Sequence, residues 1–293
     1  MKDLAGTSRQ VEALAGLLVD AGLDPAGARW QPLPGGRVNR VWRVETQAGS
    51  VAVKLYGPVT AGGLFPNLPE AEWAALSAGW RVGRAPEPLA RAATGAGPVL
   101  IYRYLPAPRP VTPQEAGRAL AALHRAAPWT GLAPLARQRW RLPQGALAPL
   151  GRAGLSAAGA GAVRRAVREA GRGPIAPAPL HGDPVPANML ATSSGPVLID
   201  WQCPAFGDPA TDLALYLSPG MQRRYGAGPL GAAARARFRR AYGGAPGLAR
   251  YDRIAPALHA RIALHCLTRA DRGAAAAEIA LLNRLARPEH PAH

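Results

Sequence analysis

The change of hydrophobic period near residue 105 constrains the fold of this chain more than any other feature. Before it, "WQPLPGGRVNRVWRVETQAGSVAVKLYG" reads as strand, Gly-Gly turn, strand, "QAGS" turn and strand, and the second and third strands alternate apolar and polar side chains. That two-residue period marks a half-exposed antiparallel sheet. A further strand, "PVLIYRYL", is cut off by "PAPRP", a proline break that marks a hinge. Beyond the break the period becomes helical. "TPQEAGRALAALHRAA" carries a capping box in Thr112 and Glu115, with Pro113 at the first helical position. Helices are predicted near 209–217, 229–243, 252–270 and 273–287, after a basic segment at 161–171. The N-terminal part adds a helix through Val11, Leu14, Leu17 and Leu18 and another over "PEAEWAALSAG". Sheet followed by helices is an α+β pattern. The expectation is two lobes, 1–104 and 105–293, with a ligand in the cleft between them.

Charge is the next constraint. A formal net charge of +17 points first to nucleic acid or an anionic surface. Composition argues otherwise, because Lys2 and Lys54 are the two lysines among 35 basic residues, leaving 33 arginines spread along the chain. The modest cluster "RARFRR" has no interleaved aromatic platform for stacking bases. A solvated arginine-rich surface is expected, with no nucleic-acid partner. No run of 18 apolar residues and no apolar leader appears, which predicts a cytoplasmic chain with no membrane association. Cys203 and Cys266 lack disulfide or metal-ligand spacing and read as buried thiols. Against so much arginine, the internal Lys54 stands out, since a planar guanidinium cannot replace a compact ammonium.

Lys54 ends the strand "VAVKL", and Glu72 on the following helix is placed to pair with it. In "LHGDPVPANML", Asp183 precedes Asn188 by five positions, and "VLIDW" brings Asp200 at the end of an apolar strand after a hairpin through "ATSSG". Moving the γ-phosphoryl of ATP requires a cation on the triphosphate, a divalent metal held by oxygen, and a carboxylate to orient the acceptor hydroxyl. Lys54, the pair Asn188 and Asp200, and Asp183 supply one candidate for each role. Magnesium prefers such oxygen ligands and retains water, so two protein ligands suffice. Each residue alone has an ordinary explanation as a turn former, a cap or a strand end. Together, in this order, they fit the chemistry.

The motifs "HGDPVPAN", "LIDW" and "GDPATDLA", with "VAVK" and "EAEWAAL" upstream, resemble those of the aminoglycoside phosphotransferase and choline kinase family. The resemblance runs from "LPGGRVNRVWRV" to about residue 217. It implies the bilobal protein-kinase-like fold, with a small antiparallel N-terminal lobe and a larger helical C-terminal lobe, and ATP-dependent phosphorylation of a small-molecule hydroxyl with Mg²⁺. It makes Asp183 the base, Asn188 and Asp200 metal ligands, Lys54 the phosphate-binding lysine and Glu72 its partner. His181 would order the catalytic loop. Asp208 reads as a helix N-cap that also braces the metal loop. The turn "PGGRVNR" lacks a full GxGxxG pattern, but Gly35, Gly36 and Asn39 are candidates for phosphate contact. Gly182 stands where protein kinases carry arginine, and "IDW" replaces their Asp-Phe-Gly, which argues for a small-molecule acceptor. A catalytically dead nucleotide-binding module would be marked by loss of one of the four polar groups, and all four are present.

The acceptor itself is read from charge. Beyond Asp212 the acids are Asp252, Asp271, Glu278 and Glu289, among 13 arginines, which suits a neutral or anionic acceptor better than a polycationic aminoglycoside. A choline-like cation needs an aromatic cage, for which Trp129, Trp140, Tyr216 and Tyr225 are the available rings.

Overall fold

A computed structural model of the chain describes residues 14–34, 38–107, 109–225 and 228–287, and side chains there except at 137 and 138. Helical residues 14–20 (α1) lead into β1 (Arg29–Pro32), β2 (Arg40–Thr46) and β3 (Gly49–Leu55). Helix α2 (Pro69–Arg81) follows, then β4 (Pro88–Thr94) and β5 (Gly97–Arg103). The strands form one antiparallel sheet in the order β1-β2-β3-β5-β4. Both tight hairpins, Thr46 to Gly49 and Thr94 to Gly97, end in a glycine at positive φ, 115° and 131°, and each threonine hydroxyl bonds that glycine's carbonyl.

The period of two decides which side chains reach the cleft. Val51, Val53 and Leu55 of β3 pack with Val99 and Ile101 of β5 and with Leu14 and Leu18 of α1, forming the core on one face. Ala52, Leu100 and Tyr102 belong to a second core on the opposite face, which continues into the helical part through Leu120, Trp201 and Leu213. Lys54, with the parity of Ala52, therefore points toward that second face.

Strand β4 escapes sequence reading. "PLARAAT" has no β-branched residue before its last position and begins with proline, and the structure places it at the sheet edge with a register shift between Pro88 and Ala90.

The helical part comprises α3 (Pro113–His124), α4 (Arg137–Trp140), α5 (Leu147–Arg152), α6 (Ala157–Ala170), α7 (Ala210–Leu217), α8 (Pro219–Arg224), α9 (Ala232–Tyr242), α10 (Leu248–Thr268) and α11 (Arg272–Leu285). The capping box on α3 forms as expected: Thr112 Oγ1 accepts from the Glu115 N–H and Glu115 accepts from the Thr112 N–H. The basic segment at 161–171 is the outer face of α6, whose Gly159, Ala162, Val163 and Ala166 are buried at helical spacing. Val163 joins Ala260, Ala263, Ile279 and Leu282 in a third core, where burying a side chain of this kind contributes about 1.5–3 kcal/mol. Small residues on the buried stripe weakened its apolar signal in the sequence.

Two short ladders lie between α6 and α7. Strands β6 (Ala178–Leu180) and β9 (Ala205–Gly207) pair antiparallel, as do β7 (Met189–Thr192) and β8 (Gly195–Leu198). The β7–β8 pair is the hairpin expected through "ATSSG"; β6 and β9 are three residues each and carry no readable alternation. No helix among the described residues is long and apolar enough to cross a membrane.

Candidate active site

The catalytic-loop candidate begins where β6 ends. Gly182 has φ 86°, and a Cβ there would lie 2.0 Å from the Cys203 carbonyl oxygen, so the backbones of the two loops approach at a distance that glycine alone permits. Arg139 fixes the same crossing by donating to the carbonyls of Leu64 (2.8 Å), Cys203 (3.0 Å) and Gly182 (3.3 Å). Asp212 on α7 holds the loop from the other side, accepting the backbone N–H groups of His181 (2.8 Å) and Gly182 (2.9 Å). Burial pushes the Asp212 carboxyl up, but the His124 bond and these N–H donors outweigh it and hold the group ionised.

His181 bonds two backbone groups. Its Nδ1 accepts the Asp183 N–H at 3.2 Å and its Nε2 lies 2.9 Å from the Ile199 carbonyl, a pairing that assigns the neutral Nε2–H tautomer. Burial depresses its pKa, which agrees. The imidazole thus ties the catalytic loop to the strand end that precedes Asp200.

Asp183 is 1% exposed. Its Oδ2 accepts from Tyr225 Oη (3.1 Å) and Asn188 Nδ2 (3.3 Å), while Oδ1 has no partner. Burial, followed by the Asp200 carboxylate, pushes its pKa up to about 7. A half-satisfied carboxylate of that basicity is suited to receiving a proton near neutral pH.

Asn188 ends a 3₁₀ turn that begins at Pro186. Its Nδ2 also bonds the Asp183 carbonyl (2.9 Å), which leaves the carbonyl oxygen Oδ1 as its free ligand atom. The β7–β8 register pairs Met189 with Leu198, and the Ile199 N–H donates to the Asn188 carbonyl at 3.0 Å, so the hairpin delivers Asn188 beside the backbone entering Asp200. Asp200 has φ 61°, a left-handed conformation that a non-glycine residue adopts at a cost of order 1–3 kcal/mol and that clusters at functional sites.

Lys54 joins the two lobes electrically. Its Nζ lies 2.6 Å from Glu72 Oε2 and 2.5 Å from Asp200 Oδ1. Burial alone would favour the neutral amine, but Asp200 and then Glu72 more than offset it and raise the pKa, so the ammonium is retained. Glu72, fully buried on α2, also accepts from the Tyr56 hydroxyl. The Asp200 side chain is 38% exposed, whereas those of Lys54 and Glu72 are 2% and 0%, so the cleft opens at Asp200.

A hard divalent cation fits this donor set. Asn188 Oδ1 and the exposed Asp200 carboxylate are oxygen donors brought together by one hairpin, and Mg²⁺ is ordinarily held by one or two protein groups plus phosphate and water. No cluster of three or more His, Cys, Asp or Glu that could hold a metal ion occurs among the described residues.

Two expectations are revised. Asn39 was expected at phosphate, but it is 5% exposed and its amide is engaged with Asn67 (2.9 Å), Gln202 (3.1 Å) and the Gly57 N–H (3.1 Å), clasping the sheet to the loop after Asp200. Asp208 accepts the Ala210 N–H (3.0 Å) as the capping expectation requires, yet its other oxygen pairs with Arg250, and the loop-bracing role falls to Asp212. Gly35 and Gly36 lie outside the described residues. Asp212, Arg139 and Tyr56 escaped sequence reading, and Tyr225 was considered only as a ring for a choline cage; of these, Asp212 alone had a signal for its observed place, as the second acid of "GDPATDLA". A cavity of about 530 Å³ lies around Gly243 to Arg253 and is lined by Asp208 and Arg250 but by none of Lys54, Glu72, Asp183, Asn188 and Asp200.

A sheet lysine held by a helix glutamate thus meets the acid that follows the β7–β8 hairpin, beside a loop that carries a second acid and an asparagine. The chain belongs to the phosphotransferase enzyme family, whose model matches residues 29–256. Among solved structures it is similar to a choline/ethanolamine kinase family protein from Mesorhizobium loti, at 21% identity over 97% of this chain and 95% of that one, with a TM-score of 0.67. It is similar to spectinomycin phosphotransferase APH(9)-Ia, solved with ADP and spectinomycin, at 14% identity over 94% and 98% of the two chains, TM-score 0.61. It is also similar to a thermostable mutant of aminoglycoside phosphotransferase APH(4)-Ia, solved with AMP-PNP and hygromycin B, at 15% identity over 96% and 99%, TM-score 0.61. No curated protein matches the chain.

Proposed function

We propose that this enzyme transfers the γ-phosphoryl group of ATP to a hydroxyl of a small molecule, in a cleft between an N-terminal lobe, 1–104, and a C-terminal lobe, 105–293. The observation that carries this is the convergence of Lys54, Asp183, Asn188 and Asp200 from three separate segments. Support for the nucleotide comes from neighbours solved with ADP or AMP-PNP.

In this reading Lys54, steadied by Glu72, binds the α- and β-phosphates, and Asn188 and Asp200 hold Mg²⁺. The bound ion neutralises charge developing on the phosphates. Asp183 orients the acceptor hydroxyl through its unpartnered Oδ1 and takes the proton as the new O–P bond forms and the bond from γ-phosphorus to the ADP oxygen breaks. Tyr225 keeps that carboxylate aimed.

The acceptor is a small alcohol without multiple positive charges. The acids beyond Asp212 are already engaged: Asp252 with Arg239 (2.8 Å, both oxygens), Asp271 with Arg224 (2.9 Å), and the buried Glu278 with Ser218, the Gly220 N–H and His259. Glu289 lies outside the described residues. Three of the four rings considered for a choline cage have other partners, Tyr216 stacking on Phe238, Trp129 packing against Trp201 and the Tyr225 hydroxyl donating to Asp183. Nucleic acid has no part in this reading, and ADP release should not require it.

The test is a screen of alcohol-bearing metabolites and antibiotics for stimulated ADP release. At least one alcohol is expected to stimulate release in the native enzyme and not in Asp183→Asn. Release independent of any alcohol, or unaltered in that variant, contradicts the proposal, and efficient turnover of a kanamycin-type polyamine contradicts the acceptor class.

A further inference from the structure

A cavity of about 240 Å³ is lined in part by Gly62, Gly63, Pro66, Ala136, Arg139 and Arg261, and Arg139 connects it to the catalytic loop at the Gly182 carbonyl. Its two guanidinium groups have neutral partners: Arg139, 8% exposed, donates to three carbonyls, and Arg261 Nε on α10 donates to the Arg139 carbonyl at 3.1 Å. Neither forms an ion pair with a carboxylate among the described residues. Asp183 answers part of the Arg139 charge at longer range, as its influence on that carboxyl shows, and nothing comparable acts on Arg261. Burial and then Arg139 itself pull the Arg261 pKa down, the mark of two like charges without a counter-ion. Nearby, His265 packs edge-on against Phe65 and is held neutral, pushed down to about 4 by burial and by Arg224, Arg269 and Arg261. The backbone N–H groups of Gly62 and Gly63 make no hydrogen bond within the described residues.

Partly buried cations without a counter-ion are costly even when carbonyls solvate them, and an anion offsets that cost through charge-assisted bonds. Arg139 donates to the carbonyl of Gly182, the residue before Asp183, and its charge acts on the Asp183 carboxyl, so the cavity shares a lining residue with the surroundings of the base. We infer that the acceptor is a compact anionic alcohol whose carboxylate or phosphate group binds between Arg139 and Arg261. This rests on the kinase reading and names its substrate class.

The test uses sodium phosphate and sodium acetate as probes, titrated at constant ionic strength into the full chain while its NMR spectrum is followed. Saturable binding is expected that persists in Lys54→Met, weakens about tenfold or more in Arg261→Gln, and recovers in Arg261→Lys. Position 136 is exposed, so Ala136→Glu leaves the fold intact while placing a negative charge at the cavity, and it should abolish binding. Preference for phosphate or acetate distinguishes the two acceptor types. Binding that fails to saturate, disappears with Lys54→Met or survives Ala136→Glu overturns the site. ADP release is then measured on matched neutral and acidic alcohols, glycerol against glycerate and glycerol 3-phosphate among them. Turnover confined to neutral alcohols overturns the anionic acceptor while the kinase reading stands; no turnover with any alcohol overturns the kinase reading and the acceptor with it. Arg261-dependent turnover of an acidic alcohol supports both.

Discussion

Lys54 and Asp200, 146 residues apart in sequence, meet at 2.5 Å and close an ion-paired bridge from the sheet to the loop after β8. The bridge continues to Glu72, which has no exposure to water. Removing one partner of a buried pair costs about 3–5 kcal/mol because the other charge is left uncompensated. Lys54→Met is therefore expected to lower both stability and catalysis: an earlier denaturant midpoint, with a raised KM for ATP and a reduced kcat. The exposed Asp200 end contributes little to the stability loss. Unaltered steady-state kinetics would remove Lys54 from the phosphate site.

Asp183→Asn keeps the shape of the side chain and loses its basicity. Turnover should fall by about 10² to 10⁴, the usual worth of general-base catalysis, with Mg-ATP affinity nearly intact by calorimetry. Unchanged kcat would take the base role from Asp183.

The same carboxyl sets a pH dependence. Its pKa is raised from 3.8 to about 7, and the active form is the carboxylate, so kcat/KM should rise with pH through a midpoint near 7 in the free enzyme. Stability should move oppositely. A raised folded pKa means that the folded state binds the proton more tightly, so this contribution is complete below 3.8 and is lost as pH climbs to about 7. In metal-free protein Asp183→Asn should consequently raise the melting temperature more at pH 8 than at pH 5. A profile flat between pH 5 and 8 would contradict both statements.

Gly182→Ala tests the loop crossing. A left-handed conformation costs a side-chain-bearing residue roughly 1–2 kcal/mol, and the added Cβ meets a backbone oxygen that cannot rotate away. Loss of more than about 2 kcal/mol in chemical denaturation is expected, with kcat falling further than the stability change explains. Native-like stability and rate would show that the loops can separate freely.

Much of this site was legible before any coordinates. Lys54, Glu72, Asp183, Asn188 and Asp200 carry local signals, since strand parity, a hairpin and a proline-held loop each fix where a side chain points. The lobe change was legible because the period shifts from two to about 3.6. What stayed hidden is long-range. Arg139 acts through carbonyls of residues 64, 182 and 203, Tyr225 reaches Asp183 across 42 positions, and no local pattern marks either. Asn39 misled for the complementary reason: a polar residue beside a glycine turn looks like a phosphate contact until its own amide partners at 57, 67 and 202 are known. Strand β4 and helix α6 were obscured by alanine and glycine, which pack closely but barely mark a face.

The most direct measurement is a crystal structure with a non-hydrolysable ATP analogue and Mn²⁺, whose anomalous signal locates the metal. The account predicts one metal peak in contact with Asn188 Oδ1 and an Asp200 oxygen, near the roughly 2.0–2.1 Å typical of Mg²⁺ coordination, with Lys54 Nζ on the phosphates. A nucleotide bound elsewhere, or Asp183 and Asp200 facing separate regions, would contradict it.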